Sequence, residues 1–81
     1  MQVEVRLFGP EATVAGTDRA VVELDLPATC GALRKAMRAQ TPALASSLDW
    51  ARFAVNGRFA TDETTFDAAD ELALIGMVSG G

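Results

Sequence analysis

The sequence predicts an α+β fold with one main helix packed on one face of a sheet of four to five strands. Three observations carry this. Two N-terminal segments alternate apolar and polar residues with period two, one internal stretch places its apolar residues at helical spacing, and the last segment is apolar on both faces.

In the first segment, Gln2 to Phe8, Val3, Val5 and Leu7 share one face while Gln2, Glu4 and Arg6 share the other. That is the pattern of a half-buried strand, and Gly9-Pro10 ends it. A polar, glycine-containing loop is expected through Gly16-Thr17-Asp18. Ala20 to Leu26 alternates again, with Val22, Leu24 and Leu26 on one side, and Pro27 closes it. The two strands are expected to pair as a hairpin with a long loop.

Thr29 is placed to cap a helix over about Cys30 to Gln40, its hydroxyl accepting from an orphan N–H of the first turn. Cys30, Leu33, Ala36 and Met37 form one stripe, and Arg34, Lys35 and Arg38 are read as facing water. Pro42 disfavours helical backbone at Thr41 and stops the helix. A short helical turn fits Ala43 to Leu48. Arg52 to Val55 reads as a strand, Asn56-Gly57 as a hairpin turn and Arg58 to Ala60 as the return strand. Thr61 to Asp70 is polar and turn-rich, anchored by Phe66. Glu71 to Val78 is read as the final strand, with Leu72, Leu74 and Val78 on one face and Ala73, Ile75 and Met77 on the other. One helix covers one face of a sheet, so the second face of this strand is either wet or a docking surface.

Eighty-one residues, 49% of them hydrophobic, suffice for one core, so disorder is not expected. The net charge is -4, from seven basic and eleven acidic residues, with no long basic run, and nucleic-acid binding has no electrostatic footprint. The acidity suits a partner with a basic docking face. There is no histidine, which removes the usual general base and most zinc sites, and the single cysteine precludes an internal disulfide. No signal peptide and no stretch long enough to span a membrane is evident, so a cytoplasmic protein with no permanently bound cofactor and no membrane partner is expected.

The sequence ends in Gly80-Gly81. A terminal glycine presents a carboxylate with no side chain around it. Such a tail can enter a narrow channel in another protein and be activated there as a mixed anhydride. On the residues alone, the pair is equally that of a frayed end.

Order and ending together resemble the ubiquitin-like β-grasp sulfur carriers of the MoaD/ThiS family. Leu7-Phe8-Gly9 with the loop through Val14-Ala15-Gly16 is similar to that family's first strand and connection, and Ala54-Val55-Asn56-Gly57 to its mid-chain hairpin. Asp67-Ala68-Ala69-Asp70-Glu71-Leu72, running on into Met77-Val78-Ser79-Gly80-Gly81, is similar to its last turn, strand and reactive tail. The resemblance spans essentially the whole chain. It implies a β-grasp fold with a mixed four- to five-stranded sheet, formed as one domain over residues 1–81 with a flexible reactive tail at 78–81.

It also implies a chemistry. A ubiquitin-activating-type adenylyltransferase would use ATP to convert the Gly81 carboxylate to an acyl-adenylate. A persulfide sulfur from a desulfurase or rhodanese would displace AMP, leaving a thiocarboxylate on Gly81. The long connection between the first two strands is similar to that of the small subunit of molybdopterin synthase, whereas thiazole-pathway carriers have a tight first hairpin. One difference is that many such small subunits carry two prolines just before the tail, where this chain has Gly76 and Met77. The resemblance implies a large-subunit partner in a heterotetramer, and sulfur delivery to a pterin precursor. Thiamine, thiolated tRNA, cysteine and protein lysines are the other destinations open to the same tail. A β-grasp interaction module with an incidental Gly-Gly is the alternative of another class. The carrier itself would be non-catalytic, its partners supplying catalysis.

Gly81 is therefore the expected reacting residue. Gly80 is expected to serve by lacking a Cβ, which opens extended and left-handed backbone conformations in a tight tunnel. The four residues from Val78 reach at most about 13–14 Å. Phe8, Ile75, Met77, Val78 and Ser79 are the candidate partner-binding residues. Cys30, on the Leu33/Met37 stripe, reads as a core thiol rather than a sulfur relay. Asp62, Glu63, Asp67, Asp70 and Glu71 lack calcium-loop spacing and read as a solvated rim rather than a metal site. Trp50 and Phe53 are expected in the core. Lys35, the only lysine, makes chains of self-conjugates an unfavoured reading.

Overall fold

A computed structural model describes residues 1–76 of the chain. Its elements are β1 (Gln2–Leu7), α1 (Gly9–Ala15), β2 (Arg19–Glu23), β3 (Ala28–Thr29), α2 (Cys30–Gln40), a 3-10 turn (Pro42–Leu44), α3 (Ala45–Leu48), β4 (Arg52–Val55), β5 (Arg58–Phe59), β6 (Thr65–Phe66) and β7 (Leu72–Ile75). Five strands form a mixed sheet in the order β2-β1-β7-β4-β5, and β3 pairs with β6 in a separate two-stranded ladder. β1 and β7 are parallel; β1–β2, β7–β4 and β4–β5 are antiparallel. This is the expected ubiquitin-like β-grasp.

The core lies between the sheet and α2. Val3, Val5, Leu7, Val22, Phe53, Leu72 and Leu74 point from the sheet onto Cys30, Leu33 and Met37 of α2, with Leu44, Leu48, Ala51 and Phe66 closing the edges. Each large apolar side chain so buried contributes about 1.5–3 kcal/mol. Helix α2 runs over the residues its apolar stripe predicts. Thr29 caps it, Ala32 N–H donating to Thr29 Oγ1 at 3.1 Å. Its first turn is also tied to the 61–66 segment, Cys30 N–H donating to Thr64 O and Gly31 N–H to Asp62 O, each at 2.9 Å.

Several expectations are corrected. The stretch after Gly9-Pro10 is a helix, not a loop. Pro10 sits in its first turn, where a missing N–H costs nothing, and Gly16 ends it with left-handed backbone (φ 73°), its N–H returning to Ala12 O and Thr13 O. Strand β2 stops at Glu23 rather than Leu26 because its partner runs out, Gln2 being paired with Glu23. Strand β7 is described over Leu72–Ile75, with Ile75 opposite the first residue of β4, Arg52; Met77 and Val78 of the expected strand lie outside the described residues. The short β3–β6 ladder was not foreseen, because two-residue strands carry no periodicity.

Trp50 is not a core residue. It is 64% exposed, with its indole N–H donating to Ser46 O at 2.8 Å. The inward positions here are Leu44, Leu48 and Ala51, spaced at helical intervals, and Trp50 falls off that stripe. Arg34 is not a wet residue either. Its guanidinium donates to Ala51 O at 2.9 Å and to Leu48 O, meets Asp62 at 3.2 Å, and lies 5.2 Å from the Phe53 ring centroid. Lys35 and Arg38 are exposed as expected, and Phe53 and Cys30 are buried.

Candidate functional site: the open sheet face

Helix α2 covers one face of the sheet, and the strand registers decide what the other face presents. Arg19 pairs with Arg6, Arg6 with Ala73, Ala73 with Ala54 and Ala54 with Phe59, so these five residues form one row across all five strands. The next row holds Ile75 beside Arg52. Phe8 follows β1 at the same end, 49% exposed.

Two alanines thus floor the middle of this face, and larger side chains stand around them. The result is an open groove of about 320 Å³, lined by Arg6, Phe8, Ala54, Gly57, Phe59, Glu71, Leu72, Ala73 and Ile75. Phe59 is 61% exposed. Exposed aromatic rings cost free energy in water and mark a surface that gains from being covered. Each ring has a cation above it: Arg6 lies 5.9 Å from the Phe8 centroid and Arg52 6.0 Å from that of Phe59. Of the neighbouring carboxylates, Glu4 is paired with Arg19 at 3.0 Å and Glu23 with the N-terminal ammonium at 3.2 Å, while Glu71 is among the residues that line the groove. The groove is therefore largely apolar, with arginines beside its aromatic walls and one carboxylate, Glu71, in its lining. Both signs of charge, Arg6 and Glu71, border this face, so the overall acidity of the chain does not by itself describe it.

The structure brings two of the candidate docking residues, Phe8 and Ile75, to one groove at the end of the sheet where the chain continues from β7. The remaining candidates, Met77, Val78, Ser79, Gly80 and Gly81, lie outside the described residues. Ala73 and Arg6 fall on the outward sides of their strands as the alternation predicts, whereas Phe59, Arg52 and Ala54 are members of the face that sequence reading did not place. Their alternation parity was readable within each strand, but joining the strands into rows required the registers.

Other candidate sites are quieter. Cys30 is fully buried, and its thiol is pushed up from its usual range, first by burial and then by Asp62, with Arg34 opposing. A thiol held neutral is a poor sulfur relay. Among the described residues, no group of three or more Cys, Asp or Glu side chains converges on a metal position. Asp70 is held below the usual carboxylate range by Asn56, whose Nδ2 donates to it at 2.9 Å, and by Asp67 N–H at 2.8 Å. These bonds close the turn before β7. Among the described residues no helix is long and apolar enough to cross a membrane.

Comparison with known proteins agrees with this architecture. The ThiS family model matches residues 5–81. SAMP1 from Haloferax volcanii is 35% identical over the full length of both chains, with a TM-score of 0.82. Molybdopterin-converting factor proteins share the fold. A putative subunit 1 from Pyrococcus furiosus is 19% identical over 96% of this chain and 99% of that one, with a TM-score of 0.79. A chain of the subunit 1–subunit 2 complex from Helicobacter pylori 26695 is 24% identical over the full length of both chains, with a TM-score of 0.68. No curated protein matches the sequence. A family match over nearly the whole chain, on a β-grasp sheet with one open face, identifies this protein as a member of the ubiquitin-like ThiS/MoaD family of sulfur-carrier proteins.

Proposed function

We propose that this protein carries sulfur on its C-terminus, with Gly81 as the reacting residue and the open sheet face as the handle by which partners hold it. The observation that carries this reading is the family match, which continues through Gly80-Gly81 to residue 81. A carboxylate is a poor electrophile, because its charge repels nucleophiles and oxide is a bad leaving group. The Gly81 carboxylate attacks the α-phosphorus of ATP on an activating enzyme, and pyrophosphate leaves. A donor persulfide then attacks the acyl-adenylate carbonyl, and AMP leaves. A second donor thiol cleaves the resulting acyl disulfide, taking up the oxidised sulfur as a disulfide and leaving the thiocarboxylate on Gly81. No base from this chain is required, and the sequence has no histidine to offer one.

Residues 77–81 span at most about 16–18 Å when extended. That length lets the terminus enter a partner's pocket while Phe8, Ile75 and Phe59 dock outside it. Arg6 and Arg52 favour a partner surface that sets carboxylates around an apolar centre. The sulfur's destination is proposed as a pterin precursor, with this chain as the small subunit of a molybdopterin synthase beside a large subunit. The subunit 1–subunit 2 complex among its structural neighbours supports that partnership. A second reading, as a protein modifier joined through the same activated carboxyl to lysines, is favoured by the 33% identity to small archaeal modifier protein 1 of H. volcanii.

The test is intact mass after incubation with ATP, an activating enzyme and a sulfur donor. Replacement of one oxygen by sulfur is expected, and no change with ATP would sink the proposal. Adding either a large subunit with pterin precursor or a lysine-bearing protein then separates the two destinations.

A further inference from the structure

We propose that the outer edge of β2 is a self-pairing surface for a second copy of this chain, held closed by the side-chain amide of Gln40. The inference uses none of the groove residues and does not rest on the sulfur-carrier reading.

Strand β2 is the terminal strand of the five-stranded sheet, and among the described residues no strand lies beyond it. Its pairing with β1 decides which backbone groups face outward. In an antiparallel ladder, residue pairs that exchange hydrogen bonds alternate with pairs that do not. Leu24 N–H donates to Met1 O at 3.0 Å and Leu7 N–H to Asp18 O at 2.8 Å. The register then makes Val3–Val22 and Val5–Ala20 the bonded pairs between them. Arg19, Val21 and Glu23 have the other parity, and turn their N–H and C=O groups away from β1. Their side chains are all exposed, alternating with the buried Ala20 and Val22.

Such an edge is a template for another strand. Two of its three outward residues are engaged by side chains instead. Helix α2 ends at Gln40, and Glu23 N–H donates to Gln40 Oε1 at 2.8 Å while Gln40 Nε2 donates to Glu23 O at 3.0 Å. One side-chain amide thus makes both bonds that a neighbouring strand would make there. At the other end, Arg19 N–H donates to Thr17 Oγ1 at a longer 3.3 Å.

The edge is complementary to itself. A two-fold axis through Val21 pairs two copies of β2 antiparallel, with Val21 opposite its own copy. Arg19 then stands opposite Glu23 of the second copy, and Glu23 opposite Arg19 of the second copy. One apolar contact is flanked by two pairs of opposite charge, which is what an isologous strand pair requires. Val21 is 52% exposed and gains from being covered. The present ion partners of Arg19 and Glu23 are Glu4 and the N-terminal ammonium, in exposed pairs that are exchanged at little cost. What stands in the way is Gln40, because the pairing needs the same two Glu23 groups in each chain.

The experiment is sedimentation of the full chain across concentration, with the amide fingerprint confirming that each variant is folded. Wild type is expected to show the mass of one chain up to millimolar concentration. Gln40→Ala is expected to show the mass of two, with exchange of the Val21 amide slowed on the order of tenfold as it enters a ladder bond. Adding Arg19→Glu or Glu23→Arg to Gln40→Ala sets like charges opposite each other at both ends. Each should raise the dissociation constant on the order of tenfold. Mixing those two double variants in equal amounts places Glu opposite Arg at both ends again, and should restore pairing. Three outcomes would overturn the proposal: Gln40→Ala with the mass of one chain at every concentration, wild type pairing as tightly as Gln40→Ala, or a dimer indifferent to the charge reversals.

Discussion

Arg34 shows how much one side chain can hold. Its guanidinium meets two carbonyls, Leu48 and Ala51, that end the segment after α2, and its side chain is only 20% exposed. Replacing it with Met leaves those carbonyls without their donor, and a loss of about 2 kcal/mol or more is expected in chemical denaturation. Asp62→Asn should cost less than about 1 kcal/mol, since that carboxylate is more than half exposed and the ion pair is screened. A result in which the two variants cost the same would mean that the ion pair, not the carbonyl contacts, matters. Cys30 offers a second test. Burial raises the thiol's pKa, so the folded state prefers the neutral form. That stability is fully present below the ordinary thiol range and is lost as pH rises through the elevated folded value. A disulfide reagent should label Cys30 only as the fold opens, at a rate that increases with denaturant. Asp70 works in the opposite sense. Its pKa is lowered, so its contribution is present above the ordinary carboxylate range and fades as pH falls through the depressed value. Acid titration of stability should therefore be shallower in Asp70→Asn than in wild type.

At the scale of elements, the Asn56-Gly57 turn is where local chemistry is most demanding. Both residues adopt positive φ, 53° and 81°, as the two-residue hairpin between β4 and β5 requires. Gly57→Ala meets open space but strained backbone, and a loss of about 1–2 kcal/mol is expected in thermal or chemical unfolding. Unchanged stability would show that the hairpin relaxes. This turn was legible in the sequence because the residues that tolerate such backbone are few. Helix α2, with its cap at Thr29, was legible for a similar reason: its period and its stop at Pro42 agree. Helix α1 was not. It spans seven residues, its inward-facing apolar residues are the small Ala12 and Ala15, and Gly9-Pro10 and Gly16 read equally as loop punctuation. Its ends could have been read as a proline in a first turn and a glycine at a C-terminus, but nothing between them supplied a stripe. Missing α1 meant missing Glu11, a buried carboxylate in the first turn of that helix. Trp50 misled for the opposite reason: large apolar area argues for burial, yet position relative to the Leu44–Leu48–Ala51 stripe decides it.

At the scale of the whole molecule, the fold separates a rigid body from the chemistry attributed to its end. One face of the sheet is sealed by α2 and is responsible for stability. The other carries Phe8, Ile75, Phe59 and two arginines around an alanine floor, and is free to be held. Half of that face was readable from alternation: Phe8, Ala73 and Ile75 were expected there, while Phe59 and Ala54 needed the register. Substitutions on it should weaken partner binding and leave the fold intact. Phe8→Ala is expected to lose about 1–2 kcal/mol of affinity for the activating enzyme or large subunit by calorimetry, with a melting temperature within error of wild type. The central claim is that the carboxyl group of Gly81 is converted to a thiocarboxylate. Tandem mass spectrometry of the C-terminal peptide, after incubation with ATP, activating enzyme and sulfur donor, tests it most directly. The account predicts sulfur in place of one oxygen on Gly81 itself, dependent on ATP and lost when Gly81 is deleted. Sulfur found on Cys30 instead, or a Gly81-deleted chain that takes up sulfur like wild type, would contradict it.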